Sequence, residues 1–179
     1  MTTGYVKIVK NTIIPALLLG ITLAILVFLL YLLRDYLIII EDAKYLIFAS
    51  FGSSAFIMYM MPESSSSRIS KFAKSYVAAS LIGYSGLYMS GFLGVFATIA
   101  IVETLIAIVM VSLKAEHPPA AAIGIVFTIN RVGLAGILII VIGVITVSLL
   151  SLFLKKAVIL AKEEEEKMKQ NFANKKYRQ

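Results

Sequence analysis

Long runs without a single charged residue dominate this chain: 23 residues at 11–33, 18 at 45–62, 28 at 75–102 and 23 at 132–154. A helix needs about 20 mostly apolar residues to cross a bilayer, so three of these runs suffice and the fourth nearly does. Their apolar residues fill every side instead of forming a 3.6-residue stripe, the pattern of helices surrounded by lipid. Only 15% of all residues are charged, against roughly a quarter in soluble domains. The expected fold is an all-α polytopic membrane protein. It has four to six membrane segments in residues 13–154, a short N-terminal segment at 1–12 and a charged tail at 155–179.

The charges fall where a membrane protein puts them. Net charge is +7, and eight of the seventeen Lys and Arg lie in residues 155–179. No basic face is interleaved with aromatics, which argues against a nucleic-acid partner. The chain has no cysteine and one histidine. Disulfides and thiol chemistry are thereby excluded, and one protomer cannot build a multi-histidine metal centre. No metal or cofactor is expected. Neither a Ser-His-Asp arrangement nor a phosphate-binding glycine loop is present, and the chain does not read as an enzyme.

Residues 1–12 carry Lys7 and Lys10 and no acid. The run after them is too long for a signal peptide and lacks a small-x-small cleavage site, so it reads as a retained helix. Residues 34–44 sum to −1, whereas 62–75 set Arg68, Lys71 and Lys74 against Glu63. Basic residues favour the cytoplasmic side, which puts the N-terminus, the 62–75 connector and the tail of a multi-pass cell-membrane protein inside. The tail, with four consecutive glutamates from Glu163 to Glu166 followed by lysines, reads as a helix continuing into water. Residues 75–113 are apolar apart from Glu103 and read as a hairpin of two helices, 75–90 and 93–113, turning at Ser90-Gly91. Ala79, Gly83, Gly86, Ser90 and Gly94 recur mostly four apart, a spacing that allows close helix packing and homo-oligomerisation.

Two places interrupt the apolar pattern. At 116–124 stand the single histidine, His117, and two of the four prolines, Pro118 and Pro119, then Ala120. Paired prolines end the preceding helix and can start a new one. At 50–54 stand Ser50, Gly52, Ser53 and Ser54 around Phe51. These serines either bond back to their own helix, which then continues with a bend, or mark an unwound, re-entrant segment facing a cavity. If 117–130 crosses the membrane, the basic tail ends inside, yet 14 residues reach only ~21 Å as helix. A short crossing beside a cavity divides the chain into span, discontinuous element, span, twice over and in opposite senses. That arrangement is an inverted repeat of the transporter kind.

The remaining polar residues invite two readings each. Glu103 either locks helices through a hydrogen bond or pairs with Arg131 or His117 and relays protons. His117 either caps the break or, protonated beside a helix start, attracts an anion. Arg131 and Arg68 are either interfacial loop charges or attract anions at the mouths of a pathway. The serine run 64–67 is either a solvated loop or an anion contact.

The sequence His117-Pro118-Pro119-Ala120-Ala121-Ala122 resembles the motif that names the HPP family of small integral membrane proteins. Ser50-Phe51-Gly52-Ser53-Ser54-Ala55, with Pro62 beyond, is similar to that family's second hallmark. The resemblance covers about residues 13–154. The chain departs from it at Arg68, which has no proline before it, and at Ser75-Tyr76, where Gly-His is expected. The resemblance implies four transmembrane helices and, through relatives associated with nitrite, a small-anion substrate.

Together these readings predict a transporter or channel for a small monovalent, nitrite-like anion. Ser50, Gly52, Ser53, Ser54, His117, Pro118, Pro119 and Ala120 would line the site, with backbone N–H groups at the two helix breaks as donors. Glu103, Arg131 and Arg68 would gate or couple. Expected partners are the lipid bilayer, a small inorganic anion and further copies of the chain. The alternative is a non-transporting module, packed through these motifs, whose tail holds a soluble partner.

Overall fold

In the computed structural model, residues 12–33 and 41–176 are described. Six helices follow one another: α1 (Ile14–Leu33), α2 (Glu41–Met60), α3 (Ile69–Leu93), α4 (Val95–Ser112), α5 (Pro118–Ile129) and α6 (Leu134–Lys176). A short 3-10 turn, Ser65–Ser67, precedes α3. No strand occurs among the described residues. The polytopic all-α expectation is met, and α6 carries its helix far beyond the apolar Leu134–Phe153 segment.

The surface is what a bilayer requires. Phe96 is 90% exposed and Phe92 73%, and Leu17, Tyr88, Leu134, Leu149 and Phe153 also face outward. Inside lie His117, Ser50, Ser54, Ser75, Ser80, Thr98 and Thr128 beside the apolar core of Phe51, Phe72, Tyr76 and Phe127. Apolar side chains outside with hydroxyls inside invert the soluble arrangement, and hydrocarbon is the solvent that makes this favourable. Among the described residues, only α4 and the Leu134–Phe153 part of α6 are by themselves long and apolar enough to cross a membrane. Helix α3 is more polar because α4, α5 and α6 all pack on it and shield it from lipid.

Two sequence expectations are corrected. The chain does not unwind at 50–54, because α2 runs through without interruption. The hydroxyls of Ser53 and Ser54 donate to the carbonyls of Ala49 and Ser50, one turn back, and so supply local bonds without breaking the helix. The hairpin turns at Gly94 instead of Ser90-Gly91. Gly94 has φ 76°, a conformation that side-chain-bearing residues rarely adopt, and this places the corner.

The break at His117 is real. Residues 113–117 leave α4 through Lys114 at φ 50°, and the Ala115 amide returns to the Met110 carbonyl at 2.8 Å. Helix α5 closes in the same way, with Arg131 at φ 49° and the Val132 amide on the Phe127 carbonyl. Both ends are glycine-type C-caps occupied by cations, which also suit the negative end of each helix dipole.

Helix α5 does not turn back. His117 sits against Ser66, just ahead of α3, and Arg131 reaches Ser90 near the far end of the same helix. The two helices therefore run side by side in the same direction. Twelve helical residues measure only about 18 Å. The extended backbone of His117 (φ −136°, ψ 91°) at one end and the long Arg131 side chain at the other complete the distance.

The packed pairs reveal the plan. Helix α1 packs on α2 and α6, α4 on α5 and α3, α2 on α6, and α5 on α3, while α2 meets α5 and α3 meets α6. Exchanging α1 with α4, α2 with α5 and α3 with α6 returns the same set of pairs. Thr22 of α1 meets Tyr59 at the end of α2 at 3.0 Å, so α1 starts at the end of the bundle that holds the 61–68 connector. Helix α4 starts at the opposite end. The halves are thus related by an inverted repeat, and its middle helices, α2 and α5, meet at the site described next.

Candidate functional site

His117 is completely buried. Its Nδ1 lies 2.9 Å from the Ser66 carbonyl and its Nε2 2.8 Å from Ser54 Oγ. A carbonyl only accepts, so Nδ1 carries a hydrogen. Ser54 Oγ is 2.8 Å from the Tyr76 hydroxyl, which is 2.7 Å from Ser50 Oγ, and Ser50 donates to the Pro119 carbonyl at 2.5 Å. The chain of contacts thus runs from the 3-10 turn through α5's cap, α2 and α3, and back to α5.

Helical spacing makes the cluster. Ser50 and Ser54 lie four apart and share one face of α2, and Phe72 and Tyr76 do the same on α3. The Phe51 ring stacks on Tyr76 at 4.8 Å and 6°, and Phe72 meets His117 edge-on at 5.4 Å. These rings exclude water and fix the orientation of both the phenol and the imidazole. His117 lies in the connector ahead of α5. Burial pushes its titration down from the ordinary range, and the Ser66 carbonyl pulls it partly back up.

The expected site residues separate. Ser50, Ser54, His117 and Pro119 come together, and Ala120 is buried next to them in sequence. Ser53 is exposed, and Gly52 faces Leu23 of α1, because each residue turns the face of a helix by about 100°. Pro118 is exposed. The expected backbone donors are also missing. Without a break at 50–54 no amides are freed there, and α5 begins with prolines at its first two positions. Proline has no N–H, and the next amide, Ala120, bonds the His117 carbonyl at 3.0 Å. The donors available in this cluster are side chains.

Glu103 meets neither His117 nor Arg131. Its carboxyl lies against α5 at Gly124, where an added Cβ would stand 2.5 Å from Oε1, and Oε1 is buried without a hydrogen-bond partner. Arg131 donates to Ser90 at 3.4 Å, while Arg68 caps the start of α3 without a side-chain bond. The two guanidinium residues therefore mark opposite ends of α3.

Sequence reasoning left Tyr76, Ser66 and Lys71 out of the central site. Tyr76 stands where the family resemblance leads one to expect a histidine, and that departure was the available signal. Lys71 pairs with Glu116 at 2.7 Å, and Ser66 Oγ donates to the Glu116 carbonyl at 3.0 Å. These bonds hold the 3-10 turn down over His117. Lys71 beside Glu116 keeps that carboxyl below the usual carboxylate range. A carboxyl depressed on folding contributes its ion pair at neutral pH and loses it as pH falls through the folded value.

Loosening of the turn is therefore expected on acidification or in Glu116→Gln. Ser67, 2% exposed, reports it in this cysteine-free chain. A Ser67→Cys protein should react several-fold faster with a maleimide when Glu116 is also replaced. An unchanged rate would show that the ion pair does not hold the turn.

The cavity at the surface lies elsewhere. A groove of about 550 Å³ between α3 and α4 is lined by Ala73, Val77, Leu81, Val109 and Leu113 with Lys74 at its edge. Its walls are apolar, and it does not join the histidine cluster. The hydroxyls and the imidazole instead bond one another in a closed arrangement.

A family model described as the HPP transmembrane region matches residues 9–164. Comparisons with curated proteins and with solved structures return no match.

Proposed function

The chain belongs to the HPP transmembrane family, and from that premise we propose that it is a cell-membrane transporter or channel for a small monovalent anion of nitrite-like size. The observation that carries this reading is the chemistry of the buried cluster. His117, Ser54, Tyr76 and Ser50 offer hydrogen-bond donors, and among the described residues no carboxylate faces them. An anion is the ligand such a set solvates, whereas a cation would need carboxylates or free carbonyls. The inverted repeat supports the reading, since a site where the middle helices of two halves meet is the arrangement alternating access requires. Arg68 and Arg131, at opposite ends of α3, provide positive potential at both mouths.

The closed state of the cluster favours a second reading, in which the motifs only pack helices and the charged tail binds a soluble partner. One experiment separates the two. Purified protein in proteoliposomes is assayed for flux of nitrite, formate and chloride against protein-free vesicles. Flux of at least one anion supports transport. A folded protein that moves none of them supports packing.

The basic 62–75 connector, Lys114 and the tail share one end of the bundle, and we assign that end to the cytoplasm. Six crossings then leave both termini inside. A cysteine at Gln170 should be labelled by an impermeant maleimide only after the cells are opened. Labelling of intact cells would overturn the orientation.

A further inference from the structure

The hydrogens of the buried cluster can be counted. Six contacts link its groups: His117 Nδ1 to the Ser66 carbonyl, Nε2 to Ser54, Ser54 to Tyr76, Tyr76 to Ser50, Ser50 to the Pro119 carbonyl, and Ser54 back to the Ser50 carbonyl. The last is the longest, at 3.0 Å, and joins a serine to its own helix. Each of the six contacts needs one hydrogen, and that of Ser54 goes to the Ser50 carbonyl.

A neutral imidazole brings one hydrogen and the three hydroxyls bring three, four in all. The Ser66 carbonyl fixes the imidazole hydrogen on Nδ1, the Ser50 carbonyl takes that of Ser54, and the Pro119 carbonyl takes that of Ser50. Nε2 then faces the Ser54 oxygen at 2.8 Å as lone pair against lone pair. Tyr76 has one hydrogen for two hydroxyl neighbours, so one of its contacts is unfilled as well. A second hydrogen on the imidazole fills the Nε2 contact, with Ser54 as its acceptor, and lowers the deficit from two to one.

We propose that the site binds a proton together with its anion, that His117 is the group that holds the proton, and that transport is anion–proton symport. The inference rests on the transport reading above and names its coupling. The charged and titratable groups around the ring are few. Tyr76 faces it from α3, and the Lys71–Glu116 ion pair lies above it. Glu103 lies along α5 against Gly124, and α2 contributes only serine hydroxyls. The imidazolium therefore has no counter-ion of its own in the cluster. Burial opposes the charged ring in the empty site, and a bound anion reverses that balance. By linkage the effect is reciprocal: the anion tightens the proton, and the proton tightens the anion by the same factor. The proton enters from the same solution as the anion and leaves with it, so one cycle moves no net charge.

His117 is the only histidine in the chain, so protein labelled with ¹⁵N-histidine and placed in lipid nanodiscs reports this one ring. Without added anion, the Nδ1–H neutral form should dominate at pH 7. Saturating sodium nitrite should raise the apparent titration midpoint by about one unit, a tenfold coupling of ordinary size. In proteoliposomes, nitrite influx should acidify the interior beyond the leak of protein-free vesicles, with one proton per anion. Ser54→Ala removes the acceptor of the second imidazole hydrogen without removing the ring. It should reduce the nitrite-induced shift at least several-fold while leaving His117 titratable.

A midpoint unmoved by nitrite, formate and chloride overturns the coupling. Anion flux that carries net charge and no proton overturns it while the transport reading stands. Absence of flux for all three anions removes the transport reading and this inference with it.

Discussion

Replacement of His117 by alanine is expected to reduce nitrite uptake into proteoliposomes at least tenfold. The ring is the hub of the cluster. Its removal leaves the Ser66 carbonyl without its imidazole partner and takes one of three contacts from the Ser54 hydroxyl, at a fully buried position. Each group left unsatisfied costs about 1–3 kcal/mol, so some loss of stability accompanies the loss of uptake. His117→Gln separates the two effects. Glutamine keeps a donor and an acceptor but does not titrate, so it should recover much of the thermal stability and little of the uptake. Uptake unchanged in both variants would remove His117 from the mechanism.

The second large effect is expected at a glycine outside the hydrogen-bonded cluster. Gly143 of α6 lies against the Phe51 ring, and a Cβ there would come within 2.3 and 2.4 Å of two ring carbons. Phe51 cannot retreat freely. It is fully buried, stacked on Tyr76, and edge-on to Phe72 at 6.2 Å. The displacement passes to Tyr76 and hence to both serines. Gly143→Ala should therefore destabilise the protein by about 1–3 kcal/mol, as overpacking does, although alanine is the better helix former by roughly 1 kcal/mol. It should also lower uptake, without touching the site directly. Thermal unfolding in detergent reads the first effect. Gly91→Ala is the control, since nothing lies within 4 Å of its Cβ position, and it should leave stability unchanged or slightly raised. Phe51→Leu should partly rescue Gly143→Ala, because sites in contact couple. Additive losses would show that the ring does not transmit the strain.

Much of this architecture is legible in the sequence. The uncharged runs required lipid-facing helices, and the paired prolines required a break at His117. Net charges at the connectors suggested the inversion of the halves. Where reasoning from residues alone misled, the cause was local chemistry with two solutions. Ser50, Ser53 and Ser54 near mid-span suit an unwound segment as well as a helix with back-bonded hydroxyls, and neighbouring helices select between them. The anion nest expected at the start of α5 failed for a reason the sequence already contained, since Pro118 and Pro119 bring no N–H.

The sequence by itself determined the solvent of this protein and the place of the helix break at His117. Those properties follow from hydrocarbon's intolerance of charge and from proline's missing amide hydrogen, which act residue by residue. Only the tertiary structure decided which polar side chains meet. Tyr76 joins Ser50, Ser54 and His117 because α3, α2 and the α5 cap converge there. Glu103 and Arg131 stay apart because α4 and the far end of α5 point them elsewhere. A hydrogen bond acts over about 3 Å, and residues 41 to 67 positions apart in sequence, such as Tyr76–His117 and Ser50–His117, come that near to a shared network only through packing.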